Sequence, residues 1–242
     1  MFGFEQFLAI NRKLTGFWRL AWLNLLWIAV TVLGLGVLGV GPASYAMAKY
    51  LHRWFRYGET PPSTRTFFRY ARELRWQPVL VGAVLMGAGG VIFVNLVSLS
   101  DWYLRAANLV VLAVLWIISA YVFTVLAALD VKGLRAQLSS ALLLGVGSLH
   151  WTIIGTTTVV IGYALMLRFA LPLLAMFGVA LPAAVFATIC SRILRDLEPA
   201  AAEDPAIPAR TIAHRVQRTD ALTSHPVSVS DQVHPLRKGT PA

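Results

Sequence analysis

Five apolar stretches, each long enough to cross a bilayer, occupy residues 20–40, 79–99, 106–129, 151–167 and 171–193. A hydrocarbon core of about 30 Å is crossed by roughly 20 apolar residues at about 1.5 Å of rise each, so every stretch predicts a spanning helix. A single helix over 151–193 would reach about 60 Å. Arg168 and Pro172 interrupt that run, so the sequence predicts two helices with a tight turn between them. The expected fold is all-α: a polytopic membrane helix bundle of about five transmembrane helices within residues 1–198.

Composition agrees with that class. Hydrophobic residues make up 57% of the chain and charged residues 13%, against about 25% charged in soluble domains. A net charge of +10 would suggest nucleic acid in a soluble protein. Here the basic residues lie between and after the spans, where they set topology and attract anionic lipid, and no nucleic-acid partner is expected. A single cysteine, Cys190, leaves no intramolecular disulfide and no cysteine-based metal site. Arg12 and Lys13 precede the first apolar run, but no small-residue cleavage motif follows it, so the first span is expected to be retained.

Charge placement gives an expected orientation. Most Lys and Arg fall in the first loop, in the connection near residue 132 and in the tail. The positive-inside rule then predicts the N-terminus outside and the C-terminus in the cytoplasm. Arg12, Lys13 and Arg19 dissent, because basic flanks of a first helix usually stay inside.

The loop at 41–76 carries two amphipathic helical patterns. In residues 43–56, Ala43, Met47, Tyr50, Leu51, Trp54 and Phe55 share one face, while Lys49, His52, Arg53 and Arg56 share the other. Residues 58–62 break the pattern and Ser63 is the expected N-cap of the next helix. There Arg65, Arg69 and Arg72 line one face opposite Phe67, Ala71 and Leu74. Both helices are expected to lie in the cytoplasmic interface, with Lys49, Arg53, Arg56, Arg65, Arg69 and Arg72 on anionic headgroups or on a docking partner. Residues 199–242 change to Pro, Ala, Ser and Thr without apolar periodicity, which predicts a disordered cytoplasmic tail.

Sites for chemistry are sparse. Every carboxylate lies at a span end, in a loop or in the tail, so none is expected at mid-membrane to couple protons or cations. The five histidines show no ligand spacing, and no phosphate-binding glycine loop or hydrolase elbow occurs. No catalytic, cofactor-binding or metal residues are assigned, and the chain is not expected to be an enzyme. Asn24 and Asn95 enter spans; they are expected as interhelical hydrogen-bond contacts, or alternatively as contacts to a solute.

Residues 23–27 (Leu-Asn-Leu-Leu-Trp), followed by Gly41, Pro42, Ala43 and Ala46, resemble the opening signature of the YesL-like bacterial membrane proteins, domain family of unknown function 624. The resemblance continues through Lys49–Arg53, Gly58 and Glu59, the block from Phe67 to Trp76, and the region of Leu142–Leu144 to Pro182–Ser191, spanning about residues 8–197. It implies a bacterial plasma-membrane protein. Members of that family are commonly encoded beside sugar-uptake ABC transporters and glycan-degrading enzymes, so the resemblance also implies an accessory or scaffold role beside an ABC permease in carbohydrate uptake. It supplies no catalytic residues, and it implies that Gly41–Pro42 ends the first span. The alternative is a small sugar transporter or channel in its own right, lined by Asn24, Asn95 and Thr156–Thr158.

Overall fold

The structure, a computed structural model, describes residues 4–74, 76–129 and 133–203. Its regular elements are α1 (Phe4–Leu33), α2 (Val37–Tyr57), α3 (Ser63–Glu73), α4 (Gln77–Ser98), α5 (Trp102–Ala128), α6 (Leu134–Gly147), α7 (Leu149–Phe169), α8 (Leu171–Phe177) and α9 (Ala180–Glu203). Four segments are long and apolar enough to cross a membrane: Leu14–Leu33, Gln77–Ser98, Trp102–Ala128 and Leu149–Phe169. The pair Leu171–Phe177 and Ala180–Arg195, bent by 53°, makes a fifth if taken as one span. Large apolar side chains such as Phe93, Val97 and Val110 stand more than half exposed on these helices. A surface of that kind is matched by hydrocarbon rather than water. The protein is a polytopic helical membrane protein.

The first two helices depart from expectation. The chain turns at Gly34–Gly36, where Leu35 and Gly36 adopt positive φ of 54° and 77°, well before Gly41–Pro42. Pro42 lies inside α2. α2 then returns antiparallel along α1. Trp27 Nε1 donates to Ser44 Oγ at 3.1 Å near the turn, and the Arg19 guanidinium sits 5.7 Å from the Trp54 ring further down. Between them along α1, Trp22 Nε1 donates to Thr64 at the start of α3 at 3.1 Å. The N-terminal half of α1 and the basic loop therefore stand at one end of the bundle. A crossing α1 followed by a loop in the opposite interface, as the charge count suggested, does not fit this hairpin.

Gly41 has another use. A Cβ there would overlap the Pro78 carbonyl, and one on Gly82 would come within 2.8 Å of the Gly41 Cα. The glycines let α2 and α4 touch backbone to backbone. This is where the resemblance placed a span end.

α4 and α5 run antiparallel, α6 and α7 both run antiparallel to α5, and α9 returns beside α7. Asn95 Nδ2 donates to Asn108 Oδ1 across the α4–α5 pair at 3.3 Å. Tyr121 and Thr152 hydroxyls meet at 2.9 Å, and Trp116 Nε1 donates to Thr156 at 3.2 Å, aligning α7 against α5. α9 descends beside α7, with the Arg192 guanidinium 5.8 Å from the Trp151 ring. One core joins Leu23, Met47, Tyr50, Phe67 and Ala187; a second joins Val81, Tyr121, Val159, Phe186 and Ile189. α9 contributes to both.

α6 was not anticipated. It packs Gln137, Ala141 and Gly145 inward against α5, but its serines and glycines conceal an apolar run. Ser63 begins α3 rather than capping it, the cap position being Pro62. The chain divides into two units, Met1–Asp196 and Leu197–Ala242. α9 runs on to Glu203, past the expected tail boundary at 198, with Ala200–Ala202 favouring helix after Pro199. The rest of the expected tail, residues 204–242, lies outside the described residues, as do Arg75, Asp130 and Lys132.

Candidate functional site

The α2–α3 polar cluster begins with a half-buried lysine. Lys49 Nζ lies 2.6 Å from both Glu73 carboxylate oxygens and donates to the Tyr45 hydroxyl at 3.3 Å. The Tyr45 and Tyr70 rings flank the ammonium at 5.7 and 5.0 Å. Burial works to lower the Lys49 pKa, yet the bonds to Glu73 and Tyr45 outweigh it and leave the pKa raised. Arg53 is similarly engaged: Nε donates to Glu59 Oε2 at 2.7 Å and one terminal nitrogen donates to the Tyr70 hydroxyl at 3.2 Å. Tyr50 completes the lock by donating to the Pro61 carbonyl at 2.9 Å.

The six cations singled out in the loop thus divide. Lys49 and Arg53 fasten α2 to α3 and to the turn between them. Arg56 is partly buried, its guanidinium 5.7 Å from the Tyr57 ring. Arg65, Arg69 and Arg72 are exposed on α3. A cleft of about 550 Å³ runs between the helices, lined by Lys49, Arg53, Arg69, Tyr70, Arg72 and Glu73. His52, assigned to the polar face from sequence, is instead 5% exposed with no hydrogen-bond partner for Nδ1. Burial, and then the nearby positive Arg56, lower its pKa.

Asn24 is fully enclosed at the other side of the first core. Its Nδ2 donates to the Ala175 carbonyl at 2.8 Å, and its Oδ1 accepts from the Val179 and Ala180 amides at 3.0 and 3.1 Å. One side chain thereby serves backbone groups on both sides of the α8–α9 break. Inside a bilayer such groups must find protein partners. The Tyr163 hydroxyl donates to the Gly178 carbonyl at the same break. Asn95 is half-buried and bonds to Asn108 across α4 and α5, so it shares no partner with Asn24.

Sequence reasoning missed Glu59, Glu73, Tyr45 and Tyr70 as partners of the loop cations. Only the α2–α3 packing brings Lys49 and Glu73 together. Among the described residues, no three His, Cys, Asp or Glu side chains gather as a metal site.

The geometry defines a helical membrane protein with a polar, cation-rich end and a pinned helix break. A family model described as a protein of unknown function, DUF624, matches residues 20–96. Over that segment, from the second half of α1 through the hairpin and most of α4, the chain is similar to that family. No curated protein and no solved structure matches the chain.

Proposed function

We propose that the protein is a non-enzymatic accessory or scaffold component of a bacterial plasma membrane, holding a partner at its cytoplasmic end. The carrying observation is how the polar groups divide. Asn24 is engaged by the protein's own backbone, whereas Arg65, Arg69 and Arg72 stand exposed on α3. A solute path through the bundle would need Asn24 free to exchange partners. A docking surface needs exposed, preorganised charge, which the Lys49–Glu73 pair and the Arg53–Tyr70 hydrogen bond provide by fixing α3. Anionic headgroups and an acidic partner surface both suit these arginines. The permease of a carbohydrate-importing ABC transporter is our proposed partner, and the family resemblance alone supports that choice.

We place the basic end in the cytoplasm, following the positive-inside rule. Arg19, Arg56, Arg65, Arg135 and Arg192 collect at that end of the helices, while Arg105 and Arg168 lie at the other. The N-terminal half of α1 then shares the cytoplasmic side with the loop, and the dissenting trio of Arg12, Lys13 and Arg19 is accommodated. The test is co-purification in mild detergent from the native host, with the bound partner identified. Stoichiometric recovery of an ABC permease supports the reading. A lone protein that moves sugar across liposomes overturns it.

A further inference from the structure

Beside the helix break lies a cavity of about 300 Å³ walled by residues of α2, α5, α7 and α9 and of the break itself. Met47, Ala183 and Phe186 give it a mostly apolar lining, and its described lining includes no charged side chain. Most of the polar groups around it are already engaged, Thr124 being the exception. Trp116 Nε1 donates to Thr156 at 3.2 Å, and the Ser119 hydroxyl donates to the Trp116 carbonyl at 2.9 Å. Ser44 Oγ accepts from Trp27 at 3.1 Å, and Tyr163 donates to Gly178.

An apolar hole with a single unengaged hydroxyl, below the two to four polar partners that an ordered water needs, holds water poorly. Left empty, its lining atoms lose dispersion contacts that nothing replaces. A sugar would bring several hydroxyls to a wall with few free partners, and unpaired polar groups are costly in such a place. Hydrocarbon carries no such cost. Trp116 both lines the cavity and is 39% exposed on the bilayer-facing side of α5, as is Leu112 one turn away. The cavity is thus continuous with the lipid-facing surface.

We propose that this cavity seats one hydrocarbon tail of a bilayer lipid, which enters past Trp116 and lies against Met47 and Phe186. The tail completes the packing beside the α8–α9 break, where helix-to-helix contact alone leaves a gap.

The test uses the full chain in nanodiscs made with a phosphatidylcholine that carries a photoreactive diazirine near the end of one tail. Met47 and Phe186 are 1% and 3% exposed, beyond the reach of lipid that merely surrounds the bundle. Adducts at Met47 or Phe186, alongside adducts at the exposed Val160, are the expected result. Adducts confined to exposed positions such as Val110 and Val160 would overturn the proposal. Filling the cavity, by Ala183→Leu or separately by Ala120→Leu, should abolish the Met47 and Phe186 adducts and leave Val160 labelled. Persistence of the interior adducts in both filled variants, with normal elution as folded protein, would also overturn it. So would rapid oxidation of Met47 by hydroxyl radicals, which marks a water-filled solute path.

Discussion

Asn24 accepts the Val179 amide at 3.0 Å at the point where α8 gives way to α9. A side chain on the first helix therefore fixes the geometry of the last span, more than 150 positions later in the chain. Asn24→Leu leaves the Ala175 carbonyl and two amides unpaired in an apolar interior. It should destabilise the protein by about 1–3 kcal/mol, read as a lower thermal-unfolding midpoint in detergent. Asn95→Leu loses one long, half-buried bond and should cost only about 0.6 kcal/mol. Equal losses for the two would contradict the clamp.

The α2–α4 crossing makes a sharper prediction. Gly41→Ala forces a methyl group into the Pro78 carbonyl, and the overpacking should cost about 1–3 kcal/mol or more. Gly87→Ala meets open space on α4. It should be neutral or stabilising by up to about 1 kcal/mol through helix propensity. Expression level and midpoint of the two variants, measured side by side, check this.

His52 gives the fold a pH dependence. Its pKa is lowered from 6.5 by burial and then by Arg56, in a cleft that Lys49, Arg53 and Glu59 also line. The unfolded chain takes up the proton first, so stability from this residue is complete above pH 6.5. It is lost as pH falls through the depressed folded value, with a slope of at most about 1.4 kcal/mol per pH unit. Unfolding midpoints between neutral and mildly acidic pH should therefore fall in the wild type. The fall should be shallower in His52→Gln.

The loop cations should separate into two kinds. Arg65→Gln, Arg69→Gln and Arg72→Gln together remove exposed charge and should weaken partner recovery and binding to anionic vesicles, with the unfolding midpoint nearly unchanged. Lys49→Met leaves Glu73 unpaired and should lower the midpoint. Loss of partner with Lys49→Met at an unchanged midpoint would show that the lysine faces outward in the working state.

Topology can be read by accessibility. In a Cys190→Ser background, single cysteines at Glu5 and Thr60 should react with impermeant thiol reagents only when the inner face is open. A cysteine at Asp101 should react from outside. Opposite behaviour of the Glu5 and Thr60 positions would separate the arms of the α1–α2 hairpin and refute it.

Apolar length alone made the spans legible, because a run of some 20 hydrophobic residues admits few other fates. Amphipathic spacing was equally informative about faces: Ala43, Met47, Tyr50 and Leu51 are all buried, and Arg65, Arg69 and Arg72 are all exposed. What the pattern does not encode is the partner of a buried face. Residues 43–56 read the same whether they lie on a membrane surface or along α1. The turn at Gly34–Gly36 sits inside an apolar run and interrupts no periodicity of hydropathy, so the sequence there is indistinguishable from the middle of a span. The pairing of Lys49 with Glu73 and the grip of Asn24 on Val179 are tertiary facts with no local signature.

The hairpin has a consequence for biosynthesis. α2 carries Lys49, His52, Arg53 and Arg56 in its second half and falls outside the segments apolar enough to cross a membrane unaided. Its first half, from Val37 to Met47, nevertheless lies beside α1. Its own composition does not hold it at that depth, so its place beside α1 depends on the helix before it and on the turn at Gly34–Gly36. Synthesis of the first 57 residues is then the smallest step that yields a membrane-competent unit. An interruption between α1 and α2 would strand a lone apolar helix whose buried face, with Leu23 and Leu26 at its centre, has nothing to close it.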